Sequence, residues 1–78
     1  MEKIREIQLP TWARAIFAND DHSGVSEQDS VEAASWYAEQ VEEHGPITLE
    51  HTGEFEEFTA HPEFGLACET ERVIIWAD

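Results

Sequence analysis

Eighteen Asp and Glu against four Lys and Arg give this 78-residue chain a formal charge of −14. That balance argues against nucleic acid or an anionic membrane as a direct partner and makes a basic protein surface the attractive one. The length fits one domain, residues 1–78, near the size where a single core is marginal, yet three Trp and four Phe supply enough apolar mass to keep it from being disordered.

No run approaches the roughly 18 apolar residues of a membrane span, and Met1 to Pro10 lacks the apolar centre of a signal peptide, so the expectation is a cytosolic protein. Cys68 stands alone, which rules out an internal disulfide and a Cys-rich zinc site and leaves a small buried thiol as the expectation. Ordinary solubility is served by a net charge of magnitude about 2 to 8, so the excess acidity asks for a reason.

Met1 to Gln8 reads as an extended lead-in segment. Leu9-Pro10-Thr11 opens a short helix, because Pro is welcome in a first turn, and Trp12, Ile16 and Phe17 give that helix one apolar side. The turn residues Asn19 to Gly24 end it. A long helix follows over SEQDSVEAASWYAEQVEEHG: Ser26 caps it, Asp29 stands where a capping box wants an acceptor, Gly45 stops it and Pro46 forbids continuation. At about 100° per residue, Ser30, Ala34, Tyr37, Ala38 and Val41 share one side, expected to face the core. Glu32, Glu39 and Glu43 form a stripe on the other.

After Pro46 the period becomes two. Ile47 to His51 is a strand, Thr52-Gly53 a hairpin turn, and Glu54 to Ala60 its return, with a bulge at Glu56-Glu57 needed to put Phe55 and Phe58 on one face. His61 to Gly65 is a loop, and Leu66 to Thr70 a short strand or ordered connection. Arg72 to Ala77 alternates apolar residues on both faces, as an internal strand does. The pattern predicts an α+β fold in the order α-α-β-β-β, a short and a long helix packed on one face of a small antiparallel sheet.

The pieces LPTWARAIFANDDHSGVSEQD and FTAHPEFGLACETERVIIW resemble a family of small uncharacterised acidic proteins associated with phages, plasmids and their bacterial hosts. The resemblance spans residues 9–76, through Leu9-Pro10, Asn19-Asp20, Ser23-Gly24 and Phe58-x-x-His61-Pro62-x-Phe64-Gly65. In size and acidity the chain is also similar to phage inhibitors of host nucleases, including anti-CRISPR proteins that imitate DNA. That likeness implies an inhibitor and transfers no residue role.

The residues expected to meet a partner are Glu32, Glu39, Glu42 and Glu43 on the long helix, Glu54 and Glu56 on the hairpin, and Asp20 and Asp21 in the inter-helix loop. Helix carboxylates so spaced lie about 6 to 10 Å apart along the axis. Duplex DNA carries a charge per roughly 1.7 Å of axis, so these rows are sparser than phosphates but dense enough to occupy a groove of Lys and Arg. Trp36, at the edge of the Glu stripe, is either an interface anchor or covered by another part of the chain.

His22, His44, His51 and His61 lack the i, i+4 helical pair of a zinc helix, and no glycine-rich loop meets a helix start to hold phosphate, so neither metal nor cofactor is expected. With so many acids, two neighbouring carboxylates are no sign of catalysis. The leading expectation is a monomeric, non-enzymatic, phosphate-mimicking inhibitor of a basic nucleic-acid-binding protein. The alternatives are an antitoxin-like module that binds one basic partner without mimicry, and a merely salt-adapted acidic domain.

Overall fold

The computed structural model describes residues 1–61 and 65–78, with side chains through residue 57 and from residue 69. Five elements follow in order: strand β1 (Glu2–Pro10), helices α1 (Thr11–Asn19) and α2 (Glu27–His44), and strands β2 (Ile47–His61) and β3 (Gly65–Ala77). The fold is α+β, with the short and the long helix packed against a three-stranded antiparallel sheet in the order β1-β3-β2. The strand Arg72 to Ala77 is internal as its pattern predicts: it is the last half of β3, flanked on both sides.

Several expectations about the strands are corrected. The lead-in segment is itself a strand, pairing Glu2 with Ala77 through Pro10 with Thr70, so the element order gains a strand at its start. Its weak alternation arises from a register shift between Lys3 and Arg5. Thr52-Gly53 is no hairpin turn but part of a bulge inside one long strand, and the bulge expected at Glu56-Glu57 is absent there, where Glu56 pairs with Thr70 and Glu57 with Glu69 in regular register. Between His51↔Val73 and Phe55↔Glu71 there are four steps along β2 against two along β3. Gly53 makes this possible with φ +77, a region costly for any side chain. Of the loop expected over His61 to Gly65, the two ends are strand residues paired with each other, and residues 62–64, like the Phe58 side chain and the Cys68 thiol, lie outside the described residues.

Helix α2 starts and stops as its sequence dictates. The Asp29 amide donates to Ser26 Oγ at 3.1 Å, and the Gly45 amide, at φ +77, donates to the Val41 carbonyl at 2.8 Å. Its buried face differs from the expected one. Ala33, Trp36 and Gln40 are buried, Tyr37 and Val41 half-buried, and Ala34 and Ala38 exposed. The helix is rolled toward Trp36, because hiding an indole removes far more apolar surface from water than hiding two alanine methyls.

Phe17 of α1 meets both Trp36 and Tyr37, with ring centroids 5.7 Å away in each case. Beneath them Ile7, Leu9, Ile47, Val73 and Ile75 form the sheet's contribution to the core. Ile74 and Trp76 alternate to the opposite face and are half-buried there by polar neighbours, the Trp76 indole donating to Glu50 at 2.9 Å.

Candidate partner-binding surface

The four cations are all committed within the fold. Lys3 pairs with Glu6 at 3.1 Å, Arg5 donates to Gln40 Oε1 at 3.1 Å, Arg14 meets Glu71 at 3.2 Å, and Arg72 bridges Glu6 and Glu54. Their distribution decides which acids present charge to solvent. Glu54, expected as a partner contact, spends its charge on Arg72, and this pair raises the guanidinium's already high pKa further. Glu6 is likewise held below the ordinary carboxylate range, first by its Lys3 hydrogen bond and then by Arg72. Glu56 is exposed across from Thr70, with Glu57 and Glu69 beside it in register.

On α2, Glu39, Glu42 and Glu43 are exposed and Glu32 is half-buried. With the helix rolled, Glu32 and Glu39 flank Trp36 instead of lying opposite the core. Trp36 itself is 5% exposed, so it is covered by the chain and is no protruding anchor. Asp20, at φ 52, closes α1 in the left-handed conformation, and its carboxylate faces His22 Nε2 at 3.3 Å. The other ring nitrogen of His22 lies 3.1 Å from Ser30 Oγ, so this exposed row ties the loop to the first turn of α2. Asp21 accepts from the amide and hydroxyl of Ser23 at 3.0 and 2.7 Å, which holds its carboxyl below the ordinary range. The two loop aspartates are therefore fixed in place rather than trailing in solvent.

Two arrangements were not foreseen from the sequence. The first is a buried carboxylate: Glu71, 1% exposed, forms an ion pair with Arg14 at 3.2 Å and accepts from the Gly53 amide (2.9 Å) on Oε2, and faces His51 Nδ1 at 3.0 Å on Oε1. Arg14 also lies over the ring of Phe55, 5.7 Å from its centroid. This cluster pins the bulge of β2 to β3 and to α1. The second is a groove of about 360 Å³ between β1 and α2, lined by Arg5, Glu32, Ser35, Trp36, Glu39 and Gln40. Among the described residues no three His, Cys, Asp or Glu converge as a metal-ligand set; His44 sits beside Glu43 at 3.8 Å at the helix end.

A family model for a domain of unknown function, DUF6926, matches residues 6–76. The chain belongs to that family. The match reaches into all five elements and takes in the groove's α2 wall, with Arg5 just before its first residue. No curated protein and no solved structure matches the chain.

Both unforeseen arrangements had a signal in the sequence. Glu71 is in phase with Val73 and Ile75, so strict alternation already places a carboxylate on the buried face. Gln40 lies four residues after Trp36 and seven after Ala33, on the side that Trp36 claims. No helix of the described residues is long and apolar enough to cross a membrane.

Proposed function

We propose that this DUF6926 domain is an acidic inhibitor that occupies a basic nucleic-acid-binding site on a host protein in the cytosol by imitating phosphate charge. The observation that carries the reading is the commitment of Lys3, Arg5, Arg14 and Arg72 to partners inside the fold, while Glu39, Glu42 and Glu43 stand exposed on one capped helix. A chain needing only solubility has no use for this separation. A competitor for a Lys- and Arg-lined groove does, because rigidly spaced carboxylates steer encounter and release bound counterions as phosphates do.

The test is to capture binding proteins from bacterial lysate on the immobilised chain at low salt, elute at high salt, and measure whether the chain displaces a labelled duplex from the eluted protein. Displacement is expected. A captured protein that holds duplex and this chain together would favour the plain basic-partner module, and folding that requires molar salt would favour salt adaptation.

A further inference from the structure

We draw no further inference here: the strongest candidate, the surface patch at the exposed Phe55 ring of β2 with the Glu57–Glu69 pair in register beside it, carries nothing, because nothing among the described residues shows what covers it.

Discussion

Replacing Glu71 by Ala tests the packing account at its most exposed point, because this carboxylate is 1% exposed and meets three groups on two other elements, Arg14 on α1 and His51 and Gly53 on β2. Its loss strands the Gly53 amide and the mostly buried His51 ring, each left without its partner at a cost of about 1 to 3 kcal/mol. Arg14 adds less: its side chain is 44% exposed, so water takes over its charge and the pair must be discounted accordingly. The expected loss is about 2 to 4 kcal/mol, against a total of about 4 to 12 for a chain of this length. Urea melts followed by Trp fluorescence should show the midpoint falling by about 1 to 3 M. Glu71→Gln, which keeps one acceptor oxygen, should lose about half as much. A Glu71→Ala midpoint within about 0.5 M of wild type would refute the reasoning and mean that the bulge of β2 holds without the carboxylate.

Trp36→Ala should cost about 3 to 5 kcal/mol and leave the chain largely unfolded by circular dichroism. Trp76→Ala, although the sequence pattern makes Trp76 look equally central, should cost only about 1 to 3, because its ring is half-buried on the helix-free face. Gly53→Ala, at φ +77 with open space around the added methyl, should lose about 1 to 2 kcal/mol from backbone strain alone, whereas Gly24→Ala should be near neutral in the same melts. Carboxyl NMR titrations should place Glu6 and Asp21 below the ordinary values of about 4.3 and 3.9. With folded values lowered, their stabilising contribution is present above that range and is lost as the pH falls through the lowered values; Glu6→Gln should abolish its share of that acid-side loss. The melting temperature should rise between about 10 mM and 500 mM sodium chloride as repulsion among the uncompensated carboxylates is screened.

The long helix and the internal C-terminal strand were legible because local signals agreed with the tertiary outcome: a Ser cap, a Gly-Pro stop, and an apolar alternation ending at Trp76. The roll of α2 was not. On a wheel where Ala34, Ala38, Tyr37 and Val41 weigh alike, Trp36 looks marginal; in three dimensions one indole outweighs both methyls and pulls Gln40 inward with it. β1 was hidden by the shift between Lys3 and Arg5, which breaks its alternation and sets Arg5 in register with Ile75, where it reaches Gln40 on α2. The bulge was hidden by Thr52-Gly53, which looks like a turn until the opposite strand supplies Glu71 to bind it. For the candidate surface, the acidic residues themselves were plain. Which of them remain uncompensated depends on where four cations come to rest, and only the fold decides that.

The central claim is that the exposed carboxylates of α2 compete with nucleic acid for one basic groove. Its most direct test is displacement of labelled duplex from the captured host protein by wild type, by Glu39→Lys/Glu43→Lys, and by Glu2→Lys/Asp78→Lys as a reversal of equal charge near the termini. Wild type should displace the duplex. The helix variant should need at least tenfold more protein to do so while melting no lower than wild type, and the terminal variant should stay close to wild type. Equal losses in the two double variants, or a duplex that stays bound at saturating wild type, would contradict it.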